Sequence, residues 1–102
     1  MARFTEDVKH EAQRGVLLMI LIRRGLDWVP VNELQKQLAR QGYPMLLEDL
    51  EFHIKYCLDG GYVEAKSLRS GRADVELRVV RGTKNAVDLR DGRRPPDPGI
   101  AF

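Results

Sequence analysis

The side chains that could carry out chemistry in this sequence are two histidines, one cysteine and a set of charged residues. His53 and Cys57 are four residues apart, the spacing at which two metal ligands share one face of a helix. A metal site or a catalytic centre needs further groups, and His10 is the other histidine. No glycine-rich phosphate loop and no paired-cysteine motif accompany them. We therefore expect Cys57 to be a small buried thiol, and we expect no metal, no cofactor and no enzymatic activity.

Phosphate recognition is the other chemistry that the sequence allows, because its charge is unevenly distributed. Residues 1–68 contain nine Lys and Arg against ten Asp and Glu, whereas residues 69–102 contain eight against five. A basic surface for an anionic partner would thus be built in the last third of the chain. The excess of positive charge is modest, and a solvated charged face remains the alternative interpretation.

Length and composition favour one small globular domain. The chain has 102 residues, of which 43% are hydrophobic and 31% charged, enough for a single core. The longest apolar run, VLLMILI at 16–22, is far shorter than the ~20 residues that cross a bilayer. One cysteine cannot form an internal disulfide, and the first residues lack the order of a signal peptide. We expect a cytoplasmic protein that does not contact membranes.

Hydrophobic periodicity predicts helices in the first sixty residues. The first helix ends near Arg23-Arg24-Gly25, and its segment 16–22 is apolar on nearly every side. Such a helix either runs through the middle of the fold or also packs against a second copy. A short extended segment leads to a second helix, for which Asn32 and Gln35 form a candidate capping box. After QGYP a third helix follows, with Pro44 in its first turn.

The third helix has two different faces. The predicted core face holds Leu46, Leu47, Leu50, Ile54, Cys57 and Leu58, and the opposite face holds Glu48, Asp49, Phe52, Lys55 and Tyr56. Phe52 and Tyr56 are aromatic residues one turn apart on the side of the helix that should be exposed to solvent. Either the first helix or the N-terminal residues cover them, or they form a contact surface for a partner or a second copy.

After Gly60-Gly61 the period changes to two. The segments YVEAKSL and DVELRVV flank RSGRA, which predicts a β-hairpin with Arg69 and Arg72 at its loop. A short last helix is predicted with Thr83 as its cap, and RRPPDPGIAF is a proline-rich extended segment. We expect one domain over residues 1–92 and an extended tail over residues 93–102.

The order helix, short strand, helix, turn, helix, hairpin predicts an α+β, mainly α, winged helix-turn-helix fold. It has a three-helix core, a two- or three-stranded β-wing and a short C-terminal helix. IKYCLDGGYVEAK resembles the end of the recognition helix in ArsR-like and PadR-like winged-helix regulators. GTKNAVDLRDGRRPPDPGI is similar to the closing segment of small winged-helix proteins of Mu-like transposable prophages. The resemblance implies a transcriptional regulator or a phage-type accessory DNA-binding protein. Gly82 and Ala86 depart from the pattern of those relatives.

Two functions follow as hypotheses. In the first, a homodimer binds double-stranded DNA, and no small-molecule ligand is evident. The phosphate contacts would come from the wing and the tail, and the third helix would lie near the groove; the residues expected at this interface are Lys66, Arg69, Arg72, Arg90, Arg93, Arg94, Glu48, Asp49, Lys55 and His53. Acidic side chains can accept hydrogen bonds from cytosine, but Glu48, Asp49 and Glu51 oppose phosphate attraction. In the second hypothesis the domain binds a basic partner protein through Phe52, Tyr56 and the acidic residues around them.

Overall fold

The chain forms four helices and a three-stranded sheet in the order expected of a winged-helix domain. The computed structural model describes residues 5–69, 71 and 75–102. The elements are α1 (Thr5–Arg23), β1 (Val29–Pro30), α2 (Val31–Arg40), α3 (Leu47–Asp59), β2 (Val63–Arg69), β3 (Glu76–Gly82) and α4 (Lys84–Arg90). The sheet is antiparallel with strand order β1-β3-β2. The predicted mainly helical winged-helix fold, with a three-stranded sheet, is confirmed.

Helix α1 runs through the middle of the domain, which is one of the two arrangements expected for its apolar segment. Leu17, Leu18 and Leu21 are fully buried, because α2, α3, β3 and α4 all pack against this helix. Each buried leucine contributes roughly 1.5–3 kcal/mol to folding relative to an exposed one. Among the residues that the structure describes, no helix combines the length and the apolar character needed to cross a membrane.

The start of α2 differs from the prediction. The helix begins directly after β1, so that Pro30 occupies the N-cap position and no side chain caps the helix. The capping box of Asn32 and Gln35 was therefore wrong, because strand pairing brings the chain into the helix two residues earlier. The Gln35 amide instead donates a hydrogen bond of 2.9 Å to the carbonyl of Met45. This bond ties α2 to the turn before α3.

Helix α3 begins later than expected, at Leu47, so Pro44 lies in the preceding turn. Leu50, Ile54 and Cys57 are fully buried, as predicted. Leu46 and Leu47 were wrongly assigned to the core face, since their side chains are 66% and 51% exposed. The reason is that Leu46 precedes the helix and the first turn of α3 extends beyond the core.

The strands β2 and β3 form the wing, whose two faces have different environments. Ala65 lies opposite Val80 and Lys66 lies opposite Val79. Val80 belongs to the core, and we call its side of the sheet the inner face; the side that carries Lys66 is the outer face. Side chains alternate between the faces along each strand. Arg78 is therefore on the inner face and Arg81 on the outer face.

The last ten residues contain no helix or strand, but they pack against the domain. Ile100 is 9% exposed and belongs to the hydrophobic core. The amide of Ala101 donates a hydrogen bond of 3.0 Å to the carbonyl of Glu11 in α1. The same backbone lies against Gly15, where a β-carbon would overlap the carbonyl of Ala101. The end of the chain thus follows the surface of α1.

Candidate nucleic-acid interface

The outer face of the wing holds two cations against one tryptophan. The Lys66 ammonium lies 4.2 Å from the centre of the Trp28 ring, and the Arg81 guanidinium lies 4.6 Å from it. Such contacts contribute roughly 0.5–1 kcal/mol at exposed sites, and they fix where the charges point. Arg81 also pairs with Glu64 at 3.3 Å, whereas Lys66 has no carboxylate partner in the described part of the chain. Sequence reasoning missed Trp28 and Arg81, since no local pattern pairs residues that are so far apart in the chain.

The tip of the wing carries further positive charge. Arg69 is the last residue of β2, is exposed, and lies opposite Glu76 across the ladder. Within the described ranges, no carboxylate lies within ion-pairing distance of Arg69. Lys66 and Arg69 are three residues apart on one strand, so they project from opposite faces. Arg72 lies outside the described residues.

The acidic character of α3 is reduced by an ion pair with the wing. The Arg78 Nε donates hydrogen bonds of 2.7 and 2.9 Å to the two carboxylate oxygens of Glu51. Glu48 and Asp49 are exposed in the first turn. Lys55 is exposed and pairs with Asp59 at 3.6 Å, one turn further along the helix. The face of α3 near a DNA groove would thus present two acids and little positive charge.

The arginines that follow the wing are largely paired. Arg90 contacts Asp91 at 2.9 Å, and Arg93 contacts Asp88 at 3.5 Å and Asp91 at 3.6 Å. The Arg94 guanidinium lies 5.4 Å from the centre of the Tyr62 ring.

Arg94 therefore lies beside the start of β2, whereas Arg69 ends that strand. From residue 62 to residue 69, a rise of ~3.3 Å per residue corresponds to roughly 23 Å. The structure does not bring the two groups of arginines together.

Phe52 and Tyr56 have different environments although they are one turn apart. Phe52 is 56% exposed and contacts the rings of His10 and His53. The ring of Tyr56 lies under the Arg14 guanidinium at 3.9 Å, and its hydroxyl donates a hydrogen bond of 2.6 Å to Asp97 in the tail. Helix α1 and the tail thus cover Tyr56 and leave much of Phe52 in solvent.

His53 is a core residue, and its expected place near the groove was wrong. The side chain is 2% exposed. Arg14 Nε donates to His53 Nδ1 at 3.2 Å, so Nδ1 is the acceptor and Nε2–H donates to Gln13 Oε1 at 2.9 Å. Burial, followed by the positive charge of Arg14, lowers the pKa of His53 to about 4. The histidine is therefore neutral near pH 7 and holds α3 against α1.

Cys57 is fully buried, and burial raises the pKa of its thiol to about 12. A thiol with that pKa is protonated near pH 7, and neither metal binding nor nucleophilic attack uses the protonated form. In residues 5–69, 71 and 75–102, no three His, Cys, Asp or Glu side chains are grouped so as to hold a metal ion.

Known structures share this fold at low sequence identity. A protein of Thermoplasma acidophilum that is named as a transcriptional regulator superimposes with a TM-score of 0.69 at 19% identity, covering 84% of this chain and 80% of that one. A PadR family transcriptional regulator from Eggerthella lenta superimposes with a TM-score of 0.59 at 20% identity, covering 79% of this chain and 71% of that one. No protein-family model and no curated protein matches the sequence. The resemblance to proteins of Mu-like prophages finds no support in these comparisons and stays an expectation.

Proposed function

We propose that this chain is a DNA-binding protein of the transcriptional-regulator type, without enzymatic activity, which attaches to double-stranded DNA mainly through its wing. The observation that carries the proposal is the position of Lys66 and Arg69 on β2, both exposed and neither with a described carboxylate partner. Phosphate attraction supplies most of the non-specific affinity of such proteins for DNA. The likeness of the fold to two proteins named as transcriptional regulators supports the same function. Binding to DNA would place the protein in the cytoplasm.

The tail contributes less to this function than the wing. Arg90 and Arg93 already contact carboxylates, so part of their attraction for phosphate is offset. Exposed ion pairs are worth only about 0–1 kcal/mol, so DNA can still recruit these arginines. Because Ile100 and Ala101 hold the tail to the domain, Arg93 and Arg94 act from a fixed position rather than as a loose arm. Lys55, paired with Asp59, contributes in the same limited way.

The acids of α3 tune the interface rather than provide affinity. Glu48 and Asp49 repel phosphates, and either can accept a hydrogen bond from a cytosine amino group. Glu48 and Asp49 would weaken binding to most DNA sequences and would favour sequences with a cytosine within hydrogen-bonding reach of either acid. Glu51 is compensated by Arg78 and takes no part in this selection.

We also propose that the DNA-binding form is a homodimer built on α1. Val8, Ala12, Val16 and Met19 follow one another along one side of the helix, and all are at least partly exposed. Phe102, which is 54% exposed, lies beside this stripe at a small cleft that Val16 and Met19 also line. Two-fold dimers are the commonest oligomers, and they bury the same patch on both copies.

A second candidate function is binding of a partner protein at Phe52. A cleft of about 570 Å³ between α1, α3 and the tail is lined by Phe52, His10 and Arg14, together with Asp7 and Glu11. An aromatic side chain that is 56% exposed at a cleft is a common anchor of protein interfaces. Tyr56 would act only indirectly, because Arg14 and Asp97 already contact it.

Fluorescence anisotropy with random-sequence duplex DNA separates the two functions. Lys66→Ala combined with Arg69→Ala should weaken binding about equally for all DNA sequences. The negative slope of log affinity against log salt should become less steep by roughly 0.9 for each lost contact. Lys84→Ala, at an exposed lysine of α4, is the matched control. Glu48→Gln with Asp49→Asn should tighten non-specific binding. Wing substitutions without any effect on DNA affinity would refute the proposal, and Phe52→Ser should leave DNA affinity unchanged.

A further inference from the structure

Two adjacent leucines are exposed where α3 begins. Leu46 precedes the helix and is 66% exposed, and Leu47 is its first residue and is 51% exposed. Both side chains therefore bury little apolar area within the domain. Single exposed leucines are ordinary on a protein surface, but apolar side chains that lie together usually mark an interaction site.

The backbone that carries the two leucines is held in place. The carbonyl of Leu46 accepts hydrogen bonds of 3.1 and 3.0 Å from the amides of Asp49 and Leu50. The side-chain amide of Gln35 in α2 donates a bond of 2.9 Å to the carbonyl of Met45. Binding would therefore not have to order this segment first, which lowers the entropic cost of a contact made by the leucines.

The start of α3 is a ridge between two clefts. Leu46 and Asp49 line a cleft of about 420 Å³ whose other wall belongs to α1. Leu47 lines the cleft of about 300 Å³ on the side of α2 and the wing. A protruding helix end fits a concave partner. The major groove of B-DNA, which is about 12 Å wide and 8.5 Å deep, admits a helix.

The chemistry of the ridge matches base edges better than other surfaces. The two leucines are followed by Glu48 and Asp49, both exposed. In the major groove thymine carries a C5-methyl group and cytosine an amino donor, whereas the minor groove presents no methyl group. Phosphates repel the two acids. A second copy of the chain would bring the same acids together, and like charges facing each other oppose association.

We propose that Leu46 and Leu47 contact the C5-methyl groups of thymine in the major groove, so that the chain prefers DNA with thymine at the position that the start of α3 reaches. This inference rests on the proposed DNA-binding function and adds a base that α3 selects. The wing supplies attraction for any sequence. The leucines supply selection for thymine, beside the selection for cytosine by Glu48 and Asp49.

Anisotropy with two duplexes tests the methyl contact. In the first, thymine and cytosine alternate along one strand; in the second, deoxyuridine replaces thymidine, which removes the C5-methyl groups and leaves the phosphates and the minor-groove groups the same. The chain should bind the thymine duplex about fourfold more tightly for each methyl group that it buries. A group of this size contributes about 0.8 kcal/mol, and about 1.4 kcal/mol corresponds to a factor of ten.

The variant for this test is Leu46→Ala combined with Leu47→Ala. It should bind the two duplexes equally and keep the salt dependence of the unmodified chain, because Lys66 and Arg69 still contact phosphates. Both duplexes are titrated with one protein preparation, so a partly unfolded variant does not change the ratio of the two affinities. Leu68→Ala, at a leucine of the wing that is 43% exposed, is the matched control and should keep the preference.

Three results would overturn the inference and leave DNA binding intact. The first is equal affinity of the unmodified chain for both duplexes. The second is a preference that persists in the double variant, which would show that the methyl groups act through the stiffness of the DNA. The third is dissociation of a dimer by the double variant in light scattering, which would assign the leucines to a subunit contact. Absence of binding to either duplex at low salt would instead refute the DNA-binding function itself, and the inference with it.

Discussion

The carboxylate of Asp97 accepts a hydrogen bond of 2.7 Å from the hydroxyl of Tyr62, 35 residues earlier in the chain. A second bond of 2.6 Å comes from Tyr56, and the amide of Gly99 donates a third, of 2.8 Å. Burial opposes the charged form of Asp97, but these three bonds together outweigh it and lower the pKa of the carboxyl. The tail is thereby attached to α3 and to the start of the wing.

Replacing Asp97 should therefore destabilise the whole domain. Asp97→Ala removes an ionised acceptor from two tyrosine hydroxyls, and hydrogen bonds to charged groups contribute roughly 1.5–3 kcal/mol each when well buried. Because Asp97 is partly exposed, we expect a total loss of about 2 kcal/mol, or roughly 10 °C in Tm for a chain of this size. Thermal unfolding followed by circular dichroism measures it. Asp91→Ala, which removes exposed ion pairs with Arg90 and Arg93, should change the Tm much less than Asp97→Ala, because exposed ion pairs contribute little to stability.

The close approach of Ala101 to α1 predicts an unusual result at Gly15. Glycine to alanine inside a helix normally stabilises by about 1 kcal/mol. At Gly15 the added β-carbon would overlap the carbonyl of Ala101, so Gly15→Ala should lower the Tm and make the last residues sensitive to carboxypeptidase. Gly71→Ala is the control, since no atom of the residues that the structure describes lies within 4 Å of a β-carbon there. A Tm that rises in Gly15→Ala would show that the tail does not pack in this way.

The buried neutral His53 predicts a loss of stability in mild acid. The pKa of His53 is about 4 in the folded state, against an ordinary value of 6.5 for histidine, so between these values the unfolded state binds more protons. The contribution of His53 is complete above pH 6.5 and is lost as the pH falls towards 4. The total is about 3 kcal/mol, since one pKa unit corresponds to 1.36 kcal/mol.

Urea unfolding at several pH values measures this dependence. His53→Gln should flatten the curve between pH 6.5 and 4, whereas carboxylates contribute equally to both proteins and cancel in the difference. His10→Gln should keep most of the slope, because the charge of His10 lowers the pKa of His53 less than burial and Arg14 do. A wild-type curve parallel to that of His53→Gln would contradict the assignment of His53 as neutral.

The dimer proposal predicts a mass of two chains in light scattering at tens of micromolar. Val8→Lys combined with Phe102→Ser should give monomers, because both side chains are about half exposed and would be buried in the dimer. Leu77→Lys, at an exposed leucine of the wing, should leave the dimer intact. If Leu77→Lys dissociates the dimer instead, the copies meet at the wing and not at α1.

Local patterns predicted most of the fold. The period of the apolar residues identified α1, α3 and both wing strands. Leu34 and Leu38, which are one turn apart on α2, are fully buried. Patterns near an element's end were less reliable. Asn32 has the right type for a cap, but the pairing of β1 with β3 brings Pro30 to that position.

The candidate interface was less predictable, because its properties depend on contacts between distant residues. From the sequence alone, Glu51 adds to the negative charge of α3. In the structure Arg78, 27 residues later, forms an ion pair with it. His53 has a spacing compatible with an exposed position near the acids, but Gln13 and Arg14 enclose it. By helical periodicity Tyr56 should also be exposed, but Asp97 of the tail accepts a hydrogen bond from its hydroxyl. Neither periodicity nor spacing encodes these pairings.

Binding of random-sequence duplex DNA by the unmodified chain, measured by anisotropy at several salt concentrations, tests the central claim most directly. If Lys66, Arg69 and Arg72 each neutralise one phosphate, log affinity should fall with log salt with a slope of roughly −3, at about −0.9 for each contact. When Lys66 and Arg69 are both replaced by alanine, the slope should become less steep by about 0.9 for each of the two lost contacts. No binding at low salt, or an affinity that does not change with salt, would contradict a DNA-binding function of the wing.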